Sequence, residues 1–406
     1  MSEEKNVPNI RFKGFTDPWE QRKLGNVGEV HSGVGFPEIE QGGTEGIAFY
    51  KVSDMNIVGN ESVMKKAHNY VNTEQIEKRN WKIIKHVPAI IFAKVGAAIM
   101  LNRKRIVQSP FLIDNNIMTY IFDKSWDVFF GKTLFDTINL PKYAQTGALP
   151  SYNASDIKNI KVLIPNKNLQ TKIGVLFKKI DTTIALHQQK VTQLKELKKL
   201  LMQKIFDQEW RFRGFTDPWE QRKLGDVSSK VTEKNKSKKY TETLTNSAEY
   251  GIINQYAFFD KSISNSNSIA SYYVVKRDNF VYNPRISTAA PVGPINRNRL
   301  NIIGIMSPLY YVFEATNIDK SYLEYYFKTT KWHNFMKIEG NTGARSDRLA
   351  IKDKVLVKMP IPYPKVKEQK QIGELFESID TTIALHQQKV DQLKELKKYL
   401  MQNLFV

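Results

Sequence analysis

The 406-residue chain contains no cysteine. That absence excludes disulfides, thiolate nucleophiles and zinc sites built on cysteine. Histidine is scarce as well, with six in all. His31, His68, His86 and His333 are scattered without metal-ligand spacing, so no metal site is expected. Long hydrophobic runs are missing. The most apolar stretch, Pro88 to Leu101, is short and broken by Lys94, which does not fit a membrane-spanning helix. The opening Met-Ser-Glu-Glu-Lys has no apolar core and does not read as a signal peptide. A cytoplasmic location is the expectation. No Gly-x-x-x-x-Gly-Lys-Ser/Thr loop occurs, so ATP hydrolysis by this chain is not expected. No carboxylate pair with a nearby lysine stands at nuclease-like spacing.

Positive charge is abundant. Lys and Arg number 61 against 41 Asp and Glu, giving a formal net charge of +20. Such an excess concentrates polyanions near the surface, and cations that neutralise phosphates release counterions from DNA. With 41% hydrophobic and 11% aromatic residues, the chain is globular and long enough for two cores.

An internal repeat organises it. FKGFTDPWEQRKLG at Phe12 to Gly25 returns as FRGFTDPWEQRKLG at Phe212 to Gly225. IDTTIALHQQKVTQLKELKKLLMQKIF at Ile180 to Phe206 returns at Ile379 to Phe405, altered only at Thr192/Asp391, Leu200/Tyr399, Lys204/Asn403 and Ile205/Leu404. The stretches between, Asn26 to Pro165 and Asp226 to Pro364, share almost no identity although their lengths nearly match. A common holder carrying two different readers explains this better than uniform drift.

The short repeat carries the signals of a helix start. Asp17 suits the cap, Pro18 the first helical position, Glu20 a capping box and Gly25 the stop, and Asp217, Pro218, Glu220 and Gly225 repeat them. Trp19 and Trp219 are expected to be core anchors. The long repeat predicts helices over Gln170 to Ile205 and Glu368 to Leu404. Their apolar residues follow a 4-3 spacing: Ile173, Phe177, Ile180, Ile184, Val191, Leu194, Leu201 and Ile205, then Ile372, Phe376, Ile379, Ile383, Val390, Leu393 and Leu400. This is a coiled-coil seam. Matched stripes within one chain predict that the helices pair antiparallel about a pseudo-two-fold axis. Lys198 is expected to turn outward, with Leu197 filling the neighbouring slot. His187 and His386, near the helix midpoints, would then meet as register-setting residues or belong to a docking surface.

Both inserts read as mixed α/β. Tyr50–Met55 and Ala89–Met100 in the first, and Ser271–Pro284 and Gly304–Ala315 in the second, have strand character. Basic loops are expected between them, with Arg103, Lys104 and Arg105 in one and Arg297 and Arg299 in the other; these and Lys94 are candidates for phosphate or base-edge contact. Lys234, Lys236, Lys238 and Lys239 form a flexible lysine-rich segment opposed only by Glu233, suited to backbone attraction. Arg285 and Arg345 complete the DNA-binding candidates.

These features resemble the specificity subunits of bacterial type I restriction–modification systems over essentially the whole chain. WEQRKLG resembles the family's module opening. YKVSDM and IIFAKVGA resemble strands of one class of recognition domain; YGIINQYAFFDKSI, NFVYNPRIS and GIMSPLYYVF resemble those of another. EQKQIGELFESIDTTI and LQTKIGVLFKKIDTTI resemble the start of the spacer helices, the first copy departing at Leu169-Gln170, where the family usually has Glu-Gln. The resemblance implies an α+β fold: target-recognition domains at 1–165 and 207–364, joined by spacer helices at 166–206 and 365–406. It implies a bipartite double-stranded DNA target, with the helices setting the gap near one helical turn, roughly 34 Å. It further implies two methyltransferase subunits using S-adenosylmethionine and two restriction subunits using ATP and Mg, with no cofactor or catalytic residue in this chain. Asn283-Pro284-Arg285 only partly matches the (Asn/Asp)-Pro-Pro-(Tyr/Phe) element of adenine methylation and reads as a turn. Two other readings are a coiled-coil RNA- or DNA-binding scaffold without restriction partners and a self-sufficient methyltransferase or nuclease.

Overall fold

A computed structural model describes residues 6–145, 149–256, 269–341 and 347–406. The chain forms two compact units, residues 1–189 with 387–406 and residues 190–386. Each unit therefore contains one insert and half of each long helix, a division that cuts across the segments expected from sequence.

The core of the first unit is a five-stranded sheet of β1 (Gly28–Ser32), β2 (Val63–Met64), β3 (Ala89–Ala93), β4 (Lys104–Val107) and β5 (Ile117–Phe122), in the order β1-β5-β3-β4-β2. Only β2 runs parallel to its neighbour. The sequences AIIFA and IMTYIF are rich in β-branched and aromatic side chains that suit a pleated sheet covered on both faces. Alternate residues then serve two cores. Ile90, Phe92, Ile106, Met118 and Tyr120 face the helix α1 (Val128–Thr137) and the start of the long helix α2 (Lys167–Phe206). Ala89, Ile91 and Val107 pack on Tyr50, Phe111 and Ile113 from a three-stranded sheet on the other side. Of the expected strand Tyr50–Met55, only Tyr50 belongs to a strand; Val52–Asn56 is a 3-10 turn closed by Asp54 on the Lys51 amide, 2.7 Å.

The second unit repeats the plan with unrelated residues. Strands β6 (Ser228–Lys230), β7 (Asn279–Tyr282), β8 (Ile295–Arg297) and β9 (Tyr311–Ala315) lie in the order β6-β9-β7-β8, all antiparallel. Phe280, Tyr282 and Phe313 face the helix α3 (Lys320–Phe327), the end of α2 and the start of the second long helix α4 (Val366–Leu404). Val281 and Val312 face a smaller core with Leu244, Ile252 and Met306. The stretches Ser271–Pro284 and Gly304–Ala315 each form two short strands broken by a turn.

The short repeat is not a helix. Glu20–Lys23 is a strand paired antiparallel with Lys161–Ile164, and Glu220–Lys223 pairs in the same way with Pro360–Tyr363. The capping signals are local, and they lose to ladder hydrogen bonds with residues far along the chain. Trp19 is buried against Phe130 and Phe405, with ring centroids 5.8 and 5.9 Å away. Trp219 is half-buried beside Phe206 and Tyr322.

Both long helices exceed their expected lengths by a few residues, and within each unit they pair antiparallel. In the first, Leu404 and Phe405 at the end of α4 pack on Ile173 and Phe177 near the start of α2, while Ile180 and Ile184 meet Val390. In the second, Ile205 and Phe206 at the end of α2 pack with Ile372, Phe376 and Ile379 of α4. Val191 is also buried; Leu194, Leu201, Ile383, Leu393, Leu400, His187 and His386 are half-buried. Lys198 does not turn outward. Its ammonium bonds Asp380 at 2.5 Å, and Leu197 is the exposed residue instead. Lys397 does the same to Asp181 at 2.6 Å in the first unit. The opposing carboxylate, 182 residues distant in sequence, decides the side-chain direction.

The motif at the helix starts ties each sheet domain to its helix. Gln170 accepts from the backbone N–H of Asp127, the cap of α1, and Gln369 accepts from that of Asp319, the cap of α3 (2.8 and 2.9 Å). Both glutamines also donate to the proline carbonyl before the helix. A methyl group on Gly174 or Gly373 would collide with those cap carboxylates, so glycine is needed for the close approach. Glu368 is buried and takes two bonds from Arg211 and one from the Trp219 indole. Leu169 replaces that carboxylate in the first unit, where Trp19 sits in an apolar setting.

Charge reversal tests the pairing in the second unit. Lys198→Asp should lower unfolding stability by about 1–2 kcal/mol, and adding Asp380→Lys should recover part of it. Urea denaturation of the single and double variants reads the coupling; additive losses would exclude the pair.

Candidate nucleic-acid interface

The two basic segments expected to be loops are strands. Lys104 and Arg105 lie in β4, opposite Phe92 and Ile91 of β3, and Arg297 ends β8, opposite Phe280 of β7. The strands β4 and β8 hold the same position in their sheets, so the two inserts do place basic residues on equivalent elements. Their side chains, however, mostly serve the fold.

Lys104 is buried at 1% exposure; its ammonium donates to Asn102 Oδ1 (2.8 Å) and to the Ile138 carbonyl (2.6 Å). Burial pushes its pKa down to about 8. Arg105 is half-buried and donates to the Lys104 carbonyl, and burial lowers its pKa too. Arg297 has a side chain 9% exposed and bonds Asp278 (2.7 Å) and Ser321 (3.1 Å). Arg299 bridges Glu324 (2.8 Å) and Glu377 (2.7 Å), joining the turn after β8 to α3 and α4. Burial alone would lower the Arg299 pKa, but the two carboxylates raise it above the ordinary arginine value. Lys104, Arg297 and Arg299 are thus each held by internal acceptors, Lys104 and Arg297 with their side chains buried and Arg299 partly exposed.

The other candidates are more accessible. Lys94 is half-buried where β3 ends. Arg103 is half-buried and donates to Asn56. Lys236, Lys238 and Lys239 are exposed, and Lys234 lies 3.1 Å from the Tyr273 ring centre. Their segment is not loose: buried Asn235 donates to the Tyr240 carbonyl (2.8 Å) and accepts from its N–H (3.1 Å), fixing a turn. Glu233 pairs with Lys276 at 2.7 Å and not with these lysines. Arg285 is exposed, 4.0 Å from Asp347. Arg345 lies outside the described residues.

At one end of each sheet two chain segments cross. In the first unit the Tyr152 N–H donates to the Lys94 carbonyl (3.0 Å) and the Gly96 N–H to that of Pro150 (2.9 Å). In the second the Leu349 N–H donates to the Pro284 carbonyl (2.8 Å) and the Ile286 N–H to that of Asp347 (3.0 Å). Near these crossings both sequences read Thr-Gly-Ala, at 146–148 and 342–344, residues outside those described. Strand character over Ala89–Met100 gives no sign that Met100 is exposed, and a three-residue match is too short to stand out in sequences that otherwise differ. Among the described residues, no group of three or more His, Asp or Glu is arranged to hold a metal ion, and no helix is long and apolar enough to cross a membrane.

One duplicated frame with two unlike sheet domains defines a tandem recognition module on a helical support. The family model described as "Type I restriction modification DNA specificity domain" matches twice, over residues 16–196 and 216–395. The chain belongs to that family. Two curated relatives from Methanocaldococcus jannaschii are similar. The Type I restriction enzyme MjaVIII specificity subunit is 24% identical over 273 residues, 62% of this chain and 63% of that protein. The putative type I restriction enzyme MjaX specificity subunit is 25% identical over 295 residues, 66% of this chain and 64% of that protein. The matches therefore span less than two thirds of either relative's length. The crystal structure of a type I restriction–modification S subunit from M. genitalium shares the fold, with a TM-score of 0.63 at 13% identity, covering 98% of this chain and 99% of that one.

Two consequences separate structural from surface cations. The folded chain releases the Lys104 proton near pH 8, whereas an unfolded lysine keeps it to about 10.5. The unfolded state then binds more protons between those values, so stability rises with pH across that window, by at most about 3 kcal/mol. Melting points at pH 7.5 and 9.5 should show the rise, and Lys104→Met should abolish it; an equal rise in both would assign it to other groups. Arg297→Ala removes the nearest partner of Asp278, leaving Lys320 at 3.6 Å, and should cost about 1–3 kcal/mol. Lys238→Ala with Lys239→Ala should change stability by no more than about 0.5 kcal/mol. Urea denaturation of both variants compares them directly.

Proposed function

We propose that this chain is the DNA-reading subunit of a type I restriction–modification complex, with each sheet domain reading one half of a bipartite duplex target. The observation that carries the reading is the double family match on a frame whose two inserts share a strand order but almost no sequence. A single specificity would not need two different readers on identical supports. The scaffold alternative leaves that difference unused.

In this reading residues 1–165 and 207–364 are the recognition domains, and residues 166–206 and 365–406 form the spacer that sets the gap between half-sites. The exposed cations Lys236, Lys238, Lys239 and Arg285, with half-buried Lys94 and Arg103, attract phosphates and position the duplex. The spacer helices also dock two modification subunits, which supply S-adenosylmethionine and methylate adenine. Restriction subunits using ATP and Mg complete the enzyme, in the cytoplasm. The chain contributes recognition and no chemical step.

Co-expression with the modification subunits, followed by mapping of methylated adenines, tests this. Replacing residues 26–165 with another recognition domain should change one half of the methylated sequence and keep the other half and the gap. A change in both halves would exclude the division of labour.

A further inference from the structure

The crossing in the first unit presents apolar side chains to solvent on a rigid support. Gly96, at a φ of +79°, turns the chain out of β3 into the 3-10 turn Ala97–Leu101. That turn buries Ile99 and leaves Met100 63% and Leu101 56% exposed. A second 3-10 turn, Leu140–Tyr143, leaves Tyr143 44% exposed, and Leu149, 60% exposed, lies beside Gly96. The two turns are bolted together. Asn102 Nδ2 donates to the Ile138 carbonyl (3.2 Å), its Oδ1 accepts from the Leu140 N–H (3.1 Å), and buried Lys104 bonds both Asn102 and Ile138 from below. Large apolar groups held out in water in this way mark a contact surface.

Charge selects the occupant. Segments 94–105 and 138–152 carry Lys94, Arg103, Lys104, Arg105 and Lys142 and contain no Asp or Glu. Glu61, Asp136 and Asp156 lie near these segments, but the cations outnumber them, and an apolar tip in a mostly cationic surround suits a polyanion with apolar base faces and thymine methyl groups between its phosphates. Proteins that bend or read a duplex insert Met and Leu in this manner. At the equivalent crossing in the second unit Arg285 is exposed, at the bridge position that Val95 holds in the first.

We infer that Met100, Leu101, Tyr143 and Leu149 are specificity-determining contacts of the first recognition domain. They press on base edges or a base step of its half-site, while Lys94, Arg103 and Lys142 hold the flanking phosphates. The inference rests on the DNA-reading role proposed above and names the surface that performs it.

The test uses the full chain assembled with its modification subunits. Met100→Ser with Leu101→Ser alters only exposed side chains, so folding and assembly should persist. Methylation of the target should fall at least ten-fold or relax in the first half-site, with the second half-site unchanged. Val58→Ser, an 86% exposed position in the same unit, should leave both rate and site unaltered. Because the chain has no cysteine, Leu101→Cys provides a single thiol for an environment-sensitive fluorophore before assembly. Its emission should shift with the cognate duplex and not with one whose first half-site is scrambled. Wild-type rate and specificity in the serine variant, or an unshifted probe on cognate duplex, would overturn the inference. So would loss of modification subunits from the variant complex, which would make the tip a protein-docking face. A wild-type complex that methylates no bipartite site would instead overturn the DNA-reading role itself.

Discussion

The structure depends on aromatic packing where the end of one long helix closes on the beginning of the other. In the first unit Phe405 lies against Phe130, Phe177 and Trp19; in the second Phe206 lies against Phe376, Tyr322 and Trp219. Such side chains bury large areas and dominate core energetics. Each contact joins the short repeat, the sheet domain's helix and both long helices in one core. Neither long helix, polar over most of its surface, would hold its position without it.

That shared core explains how two unlike domains fit one support. The sheet face toward the helices uses Ile90, Phe92 and Tyr120 in one unit and Phe280, Tyr282 and Phe313 in the other. Volume and apolar character are kept while sequence is not. Four strands follow the same order, the first unit adding the parallel edge strand β2, and the cap-holding Gln170 and Gln369 make the same hydrogen bonds.

The cations divide along the same line. Lys104, Arg297 and Arg299 are invested in holding turns and helices, with internal acceptors within about hydrogen-bond distance of each charged group. A net charge of +20 still leaves many lysines and arginines at the surface to draw in a duplex. Charge on a sequence therefore signals the kind of partner, while burial decides which residues can meet it.

The sequence by itself determined the duplication, the two long helices, their apolar seam and their antiparallel pairing, because these are written in periodicity and in repetition within one chain. It also determined that Trp19 would be a core residue. Tertiary structure alone decided three other matters. The short repeat became a strand because residues 161–164 and 360–363 offered ladder partners that outweighed local capping signals. Lys198 turned inward because Asp380 waits on the facing helix. Lys104, Arg105 and Arg297, read as loop residues, lie in strands, and Met100, read as part of a strand stretch, lies exposed in a 3-10 turn. In each case the deciding partner lies far along the chain, where spacing between neighbours carries no information about it.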